Sequence, residues 1–229
     1  MTTNSTANSR QPEIPIETVY KGQFGEFTVG PDDRQEVIIY RAALAIAAAS
    51  FCGAVTVALQ GQNLAIMPSL VTGLYAVFCV ALAIALTKIH IYLALLHRTL
   101  QAFLAVGCLA SVAIALQSGE NLAIAVYQQP LTLIGVGFTF AALTGIYFKE
   151  AFCFNRFETK ILTVLVPFLL VGHMVGKLPI AAEQVLLAVW AMLFFIFALR
   201  KLFQDIPADI GDKSVFSYLK SQRQAKKQA

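Results

Sequence analysis

The chain has 229 residues, 58% of them hydrophobic and 13% charged, with a formal net charge of +4 and a mean hydropathy of +0.69. A soluble domain carries roughly twice that charged fraction, and its apolar residues recur at short intervals rather than in long blocks. Those numbers exclude a soluble globular fold and leave an integral membrane protein with lipid as its main solvent.

Residues 1–35 are polar and open with MTTNSTANSRQ, a Ser/Thr/Asn-rich composition expected to be disordered. No cleavable secretory signal is expected there, because an apolar core would have to lie nearer Met1. Within this stretch ETVYKGQFGEFTV alternates polar and apolar residues around Gly22 and Gly25, the pattern of a small hairpin at a membrane surface. Pro31-Asp32-Asp33 then starts a helix with an acidic first turn.

Six apolar segments follow, at 37–59, 66–86, 99–116, 131–148, 161–176 and 179–199. Each is long enough to cross a bilayer, the short fifth and the sixth, which includes Glu183 near its start, by borrowing interfacial residues. The fold expected is an all-α membrane protein of six transmembrane helices. Residues 36–201 form its membrane domain and 202–229 a basic amphipathic tail, in which Val215, Phe216 and Leu219 face lipid beside Lys220, Arg223, Lys226 and Lys227.

Sorting the loops alternately, with both termini on one side, leaves Lys177 as the single exception among 17 basic residues. The rule that basic loops stay inside makes that side cytoplasmic, or stromal in a plastid, and supports an even number of spans. NLAI occurs in both QNLAIMP (62–68) and ENLAIAV (120–126), each opening an inward-running span. Together with a third outer turn, GKLPIAA, this reads as three helical hairpins of similar design.

Polar residues near the spans are the places where chemistry could reside. The most heavily charged turn is GIYFKEAFCFNRFETK at 145–160. If it continues as one helix, Lys149, Cys153, Arg156 and Lys160 form a basic stripe while Phe148 and Phe152 meet lipid. Arg41, Arg98 and Arg200 come from other ends on the same side, so Arg41, Arg98, Lys149, Arg156 and Arg200 make a candidate polar cluster. Such a cluster can anchor the bundle or hold an anionic head group.

His90 and His97 lie seven residues apart; on one helix they would face the same way, roughly 10 Å apart. That is too far for two axial ligands of one haem. With Glu150 and Glu158, however, they could build a metal site on the cytoplasmic side. No E-x-x-H, H-E-x-x-H or multi-histidine box is present, and no cofactor is otherwise expected. His173 sits between Gly172 and Gly176, a close-packing face from which it should bond a neighbouring helix; Gly107 and Ser111 form a second such face.

The four cysteines occur singly, which argues against a disulfide framework or a zinc motif. Catalytic serine and phosphate-loop motifs are absent, and nothing indicates nucleic acid binding. These features favour a non-enzymatic role, docking a partner or assisting assembly of a membrane complex. A small-solute or ion transporter, or a lipid or quinone enzyme using the His/Glu metal site, is the alternative.

Three strings, KIHIYLALLHRTLQ (88–101), GIYFKEAFCFNRFETK (145–160) and ALRKLFQDIPADIGDKSVF (198–216), resemble an integral membrane family of cyanobacteria and plastids, a domain of unknown function. The resemblance covers the chain from about residue 34 to 219. It implies a photosynthetic membrane setting and supplies no catalytic residues.

Overall fold

The structure is a computed structural model that describes residues 19–60, 65–91, 93–215, 218, 220–222 and 224. The expected disorder of residues 1–18, part of the first NLAI string, and Phe216, Leu219, Arg223, Lys226 and Lys227 of the tail lie outside the described residues. The chain forms two compact units: residues 1–31 with 212–229, and residues 32–211.

In the first unit the alternating stretch is an antiparallel hairpin, β1 (Val19–Gly22) and β2 (Gly25–Thr28), paired Val19 to Thr28 and Gly22 to Gly25. Its turn is tied to the tail. The Gln23 amide donates to Asp212 Oδ2 at 2.6 Å, the Phe24 amide donates to Ser214 Oγ at 3.0 Å, and Phe24 stacks on Tyr218. Those bonds, the Ser214 hydroxyl first, hold the Asp212 carboxyl below its usual range. Gly22 is required by this contact, because a Cβ there would lie 2.1 Å from Asp212 Oδ1.

The second unit is helical: α1 (Pro31–Gln60), α2 (Met67–Lys88), α3 (Ala94–Ser118), α4 (Leu122–Gln128), α5 (Leu133–Phe154), α6 (Phe157–Met174), α7 (Ile180–Leu202) and α8 (Ile206–Ile210). Six are long and apolar enough to cross a membrane: α1, α2, α3, α5 with the short turn before it, α6 and α7. Punctuation by residue type sets their ends. Pro31 and Pro68 occupy first turns, where a missing N–H costs nothing, and Gly119 and Gly176 leave α3 and α6 in the left-handed conformation.

Leu44, Ala47, Leu82, Ala85, Leu143, Ile146, Leu162, Phe194 and Phe197 form the fully buried core. The outward faces are equally apolar: Leu109 is 71% exposed and Leu116 80%. A surface of that kind is stable only against hydrocarbon, where the helices satisfy their own backbone hydrogen bonds. The chain is therefore an all-α membrane protein with six spanning helices.

The closest pairing is α3 with α5, then α5 with α6 and α6 with α7. Gly107 is the reason for the first. A Cβ on it would meet the Thr139 backbone nitrogen at 2.4 Å, and Ser111, one turn on, is also buried. The small-residue face read from Gly107 and Ser111 is thus a packing face. The other expected face is divided: Gly172 lies under Leu178, whereas Gly176 serves as the positive-φ residue that ends α6. The turns at the end opposite the charged one are unequal, since α4 is inserted between α3 and α5 while α6 and α7 are joined directly.

Gly107→Val should lower the thermal unfolding midpoint of the detergent-solubilised protein, at a cost of about 1–3 kcal/mol from overpacking. Gly137→Ala, on the same pair of helices with nothing within 4 Å of the added carbon, should leave it unchanged or raise it slightly.

Candidate functional site

Two polar systems lie at opposite ends of the helical unit. The first gathers at the basic end. The charged turn is not one continuous helix: α5 stops at Phe154, Asn155 takes the left-handed conformation at φ 52°, and α6 begins at Phe157. Asn accepts that conformation because its short polar side chain bonds locally, here accepting from Lys160 Nζ. The break replaces the expected basic stripe. Lys149 and Arg156 point into the bundle, whereas Cys153 and Lys160 stay exposed.

Lys201, 1% exposed in the last turn of α7, is the centre of what forms there. Its ammonium donates to Glu150 Oε2 at 2.6 Å and pairs with Asp209 Oδ1. It also lies 4.4 Å from the centroid of the Phe154 ring and 5.8 Å from that of Tyr40. Lys149 Nζ donates to Glu150 Oε1 at 3.0 Å, so both oxygens of this fully buried carboxylate hold an ammonium. Arg41 Nε donates to Asp209 Oδ2 at 2.7 Å, and its other nitrogens donate to the backbone carbonyls of Gln204 and Asp205. Arg156 donates to the Gln204 side chain, and Arg200 donates to Glu158 Oε2 at 2.8 Å. Five helices, α1, α5, α6, α7 and α8, are joined in this way.

Four buried cations (Arg41, Lys149, Arg156, Lys201) face three buried anions (Glu150, Glu158, Asp209), a balance of +1 from 4 − 3. The Phe154 ring offsets part of that excess, with Lys149 and Arg156 also within 6 Å of its centroid. Arg156 Nη1 and Glu158 Oε1 are 3.7 Å apart, an ion pair without a direct hydrogen bond. Glu158 also sits in the first turn of α6, where the helix dipole favours a negative charge.

The structure therefore brings together four of the five residues of the expected cluster, Arg41, Lys149, Arg156 and Arg200, and both glutamates. Arg98 is exposed on α3 and enters none of these contacts. The histidines have other partners. α2 ends at Lys88 and α3 starts at Ala94, so His90 and His97 do not share a helix. His97 Nε2 lies 2.6 Å from the Leu86 carbonyl, and His90 Nε2 is 3.6 Å from Glu36 Oε2, beside the Lys88–Glu36 pair. Among the described residues, no group of three or more His, Cys, Asp or Glu is placed to hold a metal ion.

Lys201, Gln204 and Asp209 are the members that sequence reasoning passed over. Their signal was present in KLFQDIPADIGDK (201–213), where acidic residues flank a proline directly after a span on an otherwise basic side.

The second system is a cleft of about 930 Å³ at the opposite end, between α1, α2, α4, α5, α6 and α7. Its walls are apolar and its floor aromatic. Phe51 lies 4.6 Å and Phe140 5.2 Å from Trp190, centroid to centroid, and Phe78 packs beside both. Trp190 Nε1 donates to Tyr147 Oη below that floor at 3.3 Å. Near the floor Tyr75 Oη bonds Ser111 Oγ and Thr139 Oγ1 at 2.8 and 2.9 Å. The α4 wall is held to α2 by Thr72 Oγ1, which accepts from the Ala123 amide, and by Ser69, which donates to Asn121.

At the polar rim His173 Nδ1 lies 2.9 Å from Glu183 Oε1, and Tyr127 stacks on the imidazole with centroids 6.0 Å apart. His173 does bond a neighbouring helix, as its glycine-flanked position suggested, and the partner is α7. A mostly apolar concavity with a few convergent polar groups is the usual form of a small-molecule site, and this one is near the upper end of the usual volume range.

Lys201→Met should cost about 3–5 kcal/mol, because it leaves Glu150 and Asp209 buried without their shared cation. Arg200→Ala, at a side chain 57% exposed, should cost less than about 1 kcal/mol. Thermal unfolding of the two variants in detergent checks the contrast.

No curated protein and no solved structure matches this sequence. The family model described as "Uncharacterized integral membrane protein (DUF2301)" matches residues 84–218, which is 135 of 229 positions and includes all three of the distinctive strings. With its six membrane-spanning helices and more than half its length matched, the chain belongs to the DUF2301 family of integral membrane proteins.

Proposed function

We propose that this protein binds a lipophilic molecule within the membrane, with the apolar part of the ligand in the α1–α7 cleft and its head at the His173–Glu183 rim. The cleft itself carries the reading: about 930 Å³ of apolar space with one polar rim and an aromatic floor. The basic end supports a structural role more than a docking one, since its mixed-sign groups bond one another and, apart from Arg200, are buried. A solute path has less support, because Tyr75, Ser111 and Thr139, polar groups at mid-span, are engaged with each other.

The skew of basic residues supports a cytoplasmic location for the charged end and both termini, which sets the cleft toward the opposite face. The family resemblance of the three strings supports a photosynthetic membrane, plasma or thylakoid, as its setting. Docking into a membrane complex fits this reading as a way to deliver or receive the ligand. Cys153 is the exposed thiol of the charged turn. In intact cells a membrane-impermeant maleimide should leave it unlabelled, and label it once the membrane is opened.

Trp190 is the single tryptophan of the chain and lies at the floor of the cleft, so its fluorescence reports occupancy directly. Decyl-ubiquinone, a ring on an apolar tail that quenches indole emission, should quench it saturably in detergent. Ala123→Phe, which fills part of the α4 wall, should raise the half-saturation concentration at least tenfold. Quenching that rises linearly and equally in both proteins would refute a cleft site.

A further inference from the structure

The polar groups of the rim discriminate among head groups. Both His173 and Glu183 line the cleft, and their side chains are about one-fifth exposed, at 22% and 18%. A carboxylate can only accept a hydrogen bond, so at 2.9 Å the imidazole Nδ1 carries the proton and donates to Glu183 Oε1. The neutral ring then has a lone pair at Nε2 as its remaining polar atom. A carboxylate behind an imidazole fixes both the tautomer and the ring orientation. Such a lone pair calls for a donor.

Three classes of head fit poorly. A phosphate or carboxylate would meet Glu183 with no cation on the cleft wall to offset it, because among the described residues neither Lys nor Arg lines the cleft. A quaternary ammonium head has Glu183 and the rings to favour it, but no hydrogen to give to Nε2. A quinone or ester carbonyl only accepts, and would face the Nε2 lone pair without a bond. A hydroxyl donates. Tyr127, exposed and stacked on the imidazole at 30° between ring planes, extends the rim as an aromatic surface against which a second ring can lie.

From this geometry we infer that the cleft selects a hydroxyl-bearing aromatic head on a long apolar tail, the phenol and quinol class. The hydroxyl donates to His173 Nε2, Glu183 positions the imidazole, and Tyr127 stacks on the head. The inference rests on the lipophilic-cleft reading above and adds the identity of the head to it.

The test is a displacement series on the full-length protein in detergent, read through Trp190. Decyl-ubiquinone is the quencher, and decyl-ubiquinol, kept reduced under nitrogen, is the competitor with the same ring and tail. The quinol should bind at least tenfold tighter than the quinone. Farnesol, a hydroxyl on an apolar chain without a ring, should displace the quencher at least tenfold less well than the quinol. His173→Phe should bring the quinol-to-quinone ratio to about one while the quinone still saturates. Glu183→Gln should lower the ratio without abolishing quinone binding, and it keeps the test open if the first variant unfolds; melting midpoints for both identify that case.

Equal affinity for quinol and quinone in the native protein would overturn the assignment, as would a preference that survives His173→Phe, or farnesol matching the quinol. Those outcomes leave saturable quenching in place and so leave the cleft standing. Absence of saturable quenching by decyl-ubiquinone would remove the cleft reading itself.

Discussion

Lys201 is held between two carboxylates in a bundle whose outer surface is hydrocarbon. An ammonium stripped of water is costly to bury by several kcal/mol, and near contact with Glu150 and Asp209 is what makes its position tolerable. Each of those anions is then shared with a second cation, Lys149 or Arg41, so none of the five can move alone. Because they come from α1, α5, α7 and α8, the requirement that no charge remain unpaired fixes how those elements meet. Dispersion between apolar faces could not impose this, since in a membrane lipid tails compete for the same contacts.

The same requirement explains why one end is closed and the other open. At the basic end the polar side chains, with α8 folded over them, occupy the space between the helix ends. At the other end polar pairing is local, in His173–Glu183, Ser69–Asn121 and Thr72 with the α4 backbone, and it fastens neighbours without drawing the bundle shut. Phe51, Phe78, Phe140 and Trp190 separate the two regions with bulky rings that pack stacked, tilted or edge-on, and the cleft ends where they begin.

Architecture was legible because it depends on run length. Six apolar blocks of 16 to 23 residues, with Arg41 and Glu183 as their only charges, admit few other interpretations. The small-residue face at Gly107 and Ser111 was legible for a similar reason, as close approach needs a missing side chain and sequence shows that directly. The interior of the charged turn was not. Whether Lys149 and Arg156 face lipid head groups or the bundle depends on whether Asn155 breaks the helix, and a single Asn is compatible with either. The role of Asp209 depended on α8 folding back onto α7, a long-range event with no local signature beyond the proline and glycine that bracket it. Grouping Lys201 with the basic residues of its side concealed that it is the most buried of them. The cleft depends on residues from six separate elements, and no spacing rule relates His173 and Glu183 to Tyr127.

The inner face of α7 runs Glu183, Leu187, Trp190, Phe194, Phe197, Lys201, one stripe with ionisable groups at its two ends and only apolar side chains, three of them rings, between them. From Glu183 to Lys201 is 18 residues, a rise of about 27 Å along the helix. That length is close to the hydrocarbon thickness of a thin bilayer, about 27 Å, and short of the 32–33 Å of a sterol-rich one. Lys201 is committed to buried partners and Glu183 to His173 at the rim, so sliding α7 to lengthen its apolar span would break both sets of contacts. A membrane thicker than that span would thin locally around α7, at a modest cost per ångström of mismatch.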